Sequence, residues 1–282
     1  MGTAIKNPLL AELVVEPQGL GGQYWNDLWS YRELLYFLTW RDLLVRYKQT
    51  VLGVFWALIR PLLTMIVFTF LFGRIARLPS EGAVPYAVMV YVAMVPMQFI
   101  TTAVSDAGNS LVQNPSLVSK IYFPRVIVPA SSVITAAADA CVSFVALLAM
   151  MGWYHVWPDG RIFVAPAFVA LAVLISTGLG LWLAALNVAY RDFRHIVPFV
   201  VQLAMYISPV GFSSSLVPHA WRFAYSLNPA VGVIDGFRWA LLRGAAPLYW
   251  PGLAASAAVA IILWLSGIAY FRRMETTFAD VI

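Results

Sequence analysis

Apolar positions in this chain gather into six runs, covering 51–73, 84–104, 126–153, 162–188, 196–217 and 250–271. About 20 apolar residues carry a helix across the hydrocarbon core of a bilayer, so each run is read as a span. Ahead of the first, residues 30–49 mix apolar and polar positions at helical spacing. At about 100° per residue, Arg32, Thr39, Asp42 and Arg46 share roughly a quarter of the circumference, and Leu34, Phe37, Leu38, Leu44 and Val45 fall outside it. Such a helix lies in the membrane interface. The alternative is an amphipathic helix on a soluble core, and no such core is evident nearby. Ser30 followed three residues later by Glu33 is a capping box that predicts its start, and Asp42 four residues before Arg46 is the favoured pair orientation. No proline or cluster of turn residues separates this helix from the first span.

Composition makes the membrane reading firm. Hydrophobic residues make up 61% of the 282 and charged residues 11%, with a mean hydropathy of +0.79; soluble domains carry about 25% charged residues. Eleven Lys and Arg lie on the side of the termini (Lys6, Arg32, Arg41, Arg46, Lys48, Lys120, Arg125, Arg191, Arg194, Arg272 and Arg273), six lie on the other, and Arg60 sits inside a span. The positive-inside bias places both termini in the cytoplasm and accounts for the net charge of +5 without nucleic acid. Trp153, Trp157, Tyr249 and Trp250 stand at span ends, where interfacial aromatics belong. Residues 1–29 contain no continuous apolar stretch and read as a cytoplasmic segment rather than a cleaved signal peptide. No repeat or linker divides the chain, which reads as one transmembrane domain. A single cysteine, Cys141, lies in an apolar run, excludes an internal disulfide, and is expected to be buried.

Two connections are longer than turns. In 106–125, Asn114 can cap a short helix with Pro115 at its first position, and Phe123-Pro124 would end it. That helix, with Lys120 and the aromatics Tyr122 and Phe123 exposed, is shaped for a groove on a partner; an ordinary connector is the alternative. In 218–247, Asn228-Pro229 starts a second helix that Gly244 would close. Trp221, Tyr225, Phe237, Trp239, Leu241 and Leu242 make this segment apolar enough for re-entrant or interfacial helices, with a folded surface loop as the other reading.

Polar groups inside spans should face protein or water. Arg60, followed by a kinking Pro61, is either an anion contact or a snorkelling side chain. Asp139 is either a proton relay or the partner of a neighbouring helix. Tyr91, Gln98, Thr102 and Ser105 share one face of the second span, and Gln202, Tyr206 and Ser213 one face of the fifth, with Pro209 expected to bend it. Such stripes line a polar path or bond helix to helix. His155, His195 and His219 are far apart, no HExxH or GxSxG occurs, and none of the three lysines stands in a P-loop context. The chain therefore carries no ATP-binding or catalytic motif of its own and no metal site.

Five stretches, RDLLVRYKQTVLGVFWALIRPLL, NSLVQNPSLVSKIYFPRVIVP, LNVAYRDFRH, YSLNPAVGVIDGFRWALL and FRRMETTFADVI, resemble the permease subunit of ABC-2 polysaccharide exporters of the O-antigen, capsule and teichoic acid type. The resemblance implies an all-α membrane protein with six spans, an N-terminal interface helix, and short helices before the last span. It implies a homodimer with two copies of a nucleotide-binding subunit, which would bind ATP and Mg, and a lipid-pyrophosphate-linked polysaccharide, most often O-antigen, as cargo. By family position, Asn114, Pro115, Lys120, Tyr122, Phe123, Pro124 and Arg125 would couple to the ATPase. Arg46, Lys48 and Arg60 would meet pyrophosphate at the entrance. Trp56, Thr64, Gln202, Tyr206 and Ser213 would line the channel, and Trp221, Tyr225, Asn228, Pro229 and Trp239 would form the outer gate. An ABC-2 permease for a drug or small lipid would share this architecture.

Overall fold

The structure, a computed structural model, describes residues 28–48, 53–120, 123–190 and 192–278, with the side chains of Val54, Trp56, Ala57 and Lys120 outside the description. Residues 1–27 of the predicted N-terminal segment 1–29, and Tyr122, likewise lie outside the described residues. Every regular element among the described residues is helical. In order they are α1 (Arg32–Lys48), α2 (Gly53–Phe68) running into a π-helical segment (Thr69–Ile75), α3 (Tyr86–Gln113), α4 (Pro115–Lys120) and α5 (Ile127–Trp153). There follow α6 (Ala165–Ala189), α7 (Phe193–Ile207), α8 (His219–Tyr225), α9 (Pro229–Leu241) and α10 (Trp250–Glu275).

Five of these stretches are long and apolar enough to cross a membrane: Leu58–Ile75, Tyr86–Gln113, Ile127–Trp153, Gly160–Ala189 and Trp250–Glu275. The run 196–217 departs from expectation. Its helix α7 ends at Ile207, because Ser208 precedes Pro209 and takes an extended conformation (φ −75°, ψ 152°), as a residue before proline must. Pro209 thus terminates the helix instead of bending it. The chain continues through turns and a 3-10 segment, Ser214–Leu216.

Helix α3 is the hub. Val88 to Met94 are no more than 1% exposed, so it is buried all round, as a helix apolar on every face must be. It packs on α5 and α6, with α2, α7 and α9 completing its cover. Helices α6 and α10 approach through bare backbone: a Cβ on Gly267 would lie 2.4 Å from the Gly178 oxygen. Without a hydrophobic drive between helices in lipid, such small-residue contacts supply the packing that holds them together.

A second apolar cluster closes the end of the bundle that carries α1, α4 and the C-terminal end of α10, here the near end. Leu38, Val118, Phe123, Ile127, Phe271 and Phe278 form it. The opposite, far end carries α8 and α9. Residues 28–30 are already helical, Tyr31 forms a turn, and α1 begins at Arg32, two residues after Ser30. Cys141 is exposed on α5, not buried: among the described residues no helix covers it.

Candidate functional site

The near end is built on the polar stripe of α1, whose Thr39, Asp42 and Arg46 turn inward while Arg32 stays exposed. Leu38 and Thr39 are buried and Leu34 and Leu35 pack on the near-end cluster, whereas Tyr36, Phe37 and Trp40 are 69%, 62% and 52% exposed, so the aromatic side of the helix faces out of the bundle. The cause is a set of polar partners on α3 and α5. Arg46 donates to Asp106 at 2.6 Å and, through its other terminal nitrogen, to Asp139; the Tyr47 hydroxyl donates to the second Asp139 oxygen. Burial, with the Asp139 contact adding to it, raises the Tyr47 phenol well above its ordinary value. Asp139 is therefore paired across helices. Arg46, expected at a pyrophosphate, has its charge matched by two carboxylates.

Arg41 extends the network to the short connection, donating to Asp42 at 2.8 Å and to the Asn114 side chain at 3.1 Å. Asn114 caps differently from expectation. Its amide donates back to the Ser110 carbonyl at 2.9 Å, and its backbone oxygen accepts from Leu117 and Val118 to open α4 at Pro115. Phe123 is 4% exposed inside the near-end cluster, so it supports the loop from beneath and is not an exposed anchor. The Arg125 backbone N–H donates to Glu275 at 2.7 Å, tying the loop to the end of α10. Pro115, Ser116 and Ser119 give α4 its open surface, with Pro124 partly covered.

Lys48 is exposed at the end of α1, and Arg60 is exposed on α2, where the Thr64 hydroxyl donates to its carbonyl at 2.9 Å. Helices α2 and α7 meet where Phe68 stacks on Tyr206 at 6.2 Å between ring centroids. Both leave an outer face open: Leu63, Ile66 and Phe70 on one, and Phe199, Gln202, Leu203 and Tyr206 on the other. Ser213 is not on this face. It lies beyond the end of α7, buried, where its oxygen accepts from the Ser215 N–H.

At the far end α8 and α9 clamp the chain that leaves α7. Asn228 caps α9 by accepting from Ala230 at 3.1 Å, with Pro229 at the first helical position, and its amide reaches the Ser208 hydroxyl at 3.2 Å. The Tyr225 hydroxyl donates to the Ile207 carbonyl at 2.8 Å. Arg238, fully buried, donates to the Val210 and Phe212 carbonyls at 2.9 Å each and lies 3.5 Å from Glu81, in the loop after α2. Asp235 accepts from Ser214 at 2.6 Å, and burial pushes its carboxyl up to about 6 against the opposing pull of that bond and of Arg238. Trp239 packs edge-on against Trp250, and Trp221 is 68% exposed. The helix ends one residue earlier than expected. Arg243 itself takes the left-handed position (φ 55°), and Gly244 follows with its N–H on the Trp239 carbonyl.

Sequence reasoning missed Asp106, Glu81 and Arg238. The available cue was the placing of acids in or beside apolar runs, each of which needs a cation from another element.

Residues 33–242 match the ABC-2 type transporter family. The chain is 27% identical over 252 residues to the O-antigen export system permease protein RfbA of Myxococcus xanthus, covering 89% of this chain and 96% of that protein. It is 24% identical over 251 residues to its Klebsiella pneumoniae namesake, covering 89% and 95%. To the polysialic acid transport protein KpsM of Escherichia coli it is 21% identical over 211 residues, 72% of this chain and 79% of that one.

Proposed function

Because the chain belongs to the ABC-2 type transporter family, we propose that it is the membrane-spanning subunit of an exporter that moves a lipid-linked polysaccharide, O-antigen in the first instance, across the bacterial inner membrane. Similarity to two O-antigen export permeases over nearly their whole length supports this cargo, and similarity to a polysialic acid transporter keeps a capsular polymer as the second reading. A separate nucleotide-binding subunit supplies ATP hydrolysis and holds the Mg. The near end faces the cytoplasm, in keeping with the charge bias, and α4 docks on the ATPase.

The observation that carries the mechanism is the open face shared by α2 and α7. A lone copy leaves Gln202 and Tyr206 exposed amid Phe199 and Leu203 at membrane depth. A polar stripe there is tolerated when it meets water or protein, and a second copy across this face supplies both. Amide, phenol and aromatic ring faces suit a hydroxyl-rich polymer that must slide without being trapped. Pyrophosphate would meet Lys48 and Arg60, exposed cations on α1 and α2.

The test is the chain purified with its ATPase. Light scattering should give two copies of each subunit. Cysteine at 202 or 206 should react with a small water-soluble thiol reagent during turnover, while cysteine at 201, on the covered side of α7, stays silent. Normal export with 202 and 206 both unreactive would remove the channel assignment. Cysteines placed near Met1 and Ile282 should be labelled from the cytoplasmic side alone; labelling from outside intact cells would invert the topology.

A further inference from the structure

We propose that the cleft beneath α1 holds the headgroup of a zwitterionic phospholipid of the phosphatidylethanolamine type, with an acyl chain lying along the outer face of that helix. The inference does not depend on what the transporter carries.

Helix α1 turns Asp42 and Arg46 toward the bundle and leaves Phe37, Trp40 and Leu44 outside. The cleft has a volume of about 420 Å³, bounded by Asp42, Arg46, Asp106, Ser110, Ser132 and Thr135, a size within the small-molecule range of roughly 300–1,000 Å³. A second groove, about 330 Å³, runs along Phe37, Trp40 and Leu44 to Lys48 on the outer side of the same helix. Arg41 and Val45 wall both hollows. A polar hollow and an apolar groove therefore adjoin, with a guanidinium where they join.

The charges choose the ligand. Among the described residues, Arg41 and Arg46 pair with Asp42, Asp106 and Asp139, three carboxylates to two guanidinium groups, with Asp42 and Asp106 lining the cleft and Asp139 outside its lining. Arg46 divides its charge between Asp106 and Asp139, so a phosphate pushed past the rim meets the Asp42 and Asp106 carboxylates, whereas an ammonium is welcome there. Arg41, its side chain 39% exposed, stands at the rim with donors suited to a phosphate oxygen. A ligand anionic at the rim, cationic inside and apolar beyond is a phosphoethanolamine lipid. A choline headgroup has no N–H to give the carboxylates, and a glycerol headgroup brings no positive charge.

The experiment is native mass spectrometry of the full-length chain in mild detergent, after incubation with equimolar phosphatidylethanolamine, phosphatidylcholine and phosphatidylglycerol. One phosphatidylethanolamine per chain should survive collision energies that strip the other two. Asp42→Asn should reduce that preference at least fivefold. Ser132→Trp, which fills the cleft without touching a charge, should abolish it, and this variant decides the matter if the first fails to fold. Glu33→Gln, exposed on the same helix, should leave the preference unchanged. Equal retention of the three lipids by the wild type, or a preference unaffected by both cleft variants, would overturn the assignment. So would stoichiometric displacement of the phospholipid by a sugar-bearing lipid, which would make the cleft a cargo site instead.

Discussion

Arg238 is the side chain on which the far end depends most. It is 0% exposed, and it joins the turn after α7, through Val210 and Phe212, to Glu81 in the loop after α2. Arg238→Ala removes two hydrogen bonds from a charged donor, each worth about 1.5–3 kcal/mol, and strands a carboxylate that is 7% exposed. Breaking a buried pair from one side costs about 3–5 kcal/mol. The terms overlap, since water admitted by the truncation serves all three acceptors, so a loss of about 4 kcal/mol is the expected total. At about 2–4 °C per kcal/mol for a chain of this size, the melting temperature should fall by roughly 8–16 °C.

Companion variants separate the contributions. Arg238→Lys keeps the charge, but one ammonium cannot reach two carbonyls and a carboxylate together, so it should fall between wild type and alanine. Glu81→Gln should cost well under half of Arg238→Ala, because the Glu81 contact, at 3.5 Å, is the longest of the three. Removing both charges, Arg238→Met with Glu81→Leu, should recover part of the loss, since no carboxylate is then stranded. The assay is the temperature at which the monodisperse size-exclusion peak falls by half. A shift of Arg238→Ala within about 2 °C of wild type would refute the reasoning, as would a Glu81→Gln penalty equal to it.

Other outcomes follow from burial and pairing. Phe123→Ala should lower stability by about 3–5 kcal/mol, measured in the same melting assay, because it empties the near-end cluster beneath the loop. Asp139→Ala should cost about 1–3 kcal/mol and Asp139→Asn less, since the amide oxygen still accepts from Tyr47 or Arg46. Cys141 should be alkylated by N-ethylmaleimide in detergent micelles, and a wild-type thiol that stays silent there would show the α5 face to be covered. The Asp235 carboxyl is raised in the folded state, chiefly by burial, so its share of stability is full below the ordinary carboxylate value and lost as pH rises through about 6. Melting temperature should thus increase as pH is lowered from 7 toward 5, with Asp235→Asn flattening that part of the profile.

Length and apolar content were enough to place the helices. The runs 84–104, 126–153, 162–188 and 250–271 correspond to α3, α5, α6 and α10 because a bilayer demands both properties at once. The fifth run misled for a local reason. Its composition stays apolar through Val217, yet the Ser208-Pro209 step ends the helix at Ile207, and a hydropathy count does not weigh a single backbone constraint. The capping pattern at Asn228-Pro229 read correctly because the bond that caps the helix, from the Ala230 N–H to the Asn228 side-chain oxygen, closes within two residues. Asn114 misread because Arg41, 73 positions away, claims its side chain.

The deeper obstacle was direction. A stripe of Arg32, Thr39, Asp42 and Arg46 shows that α1 has two unlike faces, but not which of them meets the protein. In water the apolar face turns inward. In a bilayer, lipid is as apolar as leucine, so an apolar face gains little by turning inward, while a polar face gains much by finding partners. The choice therefore falls to carboxylates elsewhere in the chain, Asp106 and Asp139, which lie 60 and 93 residues from Arg46. Asp139 looks anomalous alone in its apolar run and Asp106 just past the end of another; together with Arg46 they fix the orientation of α1. The same reasoning applies to Glu81 and Arg238, 157 positions apart. In a membrane chain, the charged residues that hydropathy treats as exceptions are the ones that orient the helices.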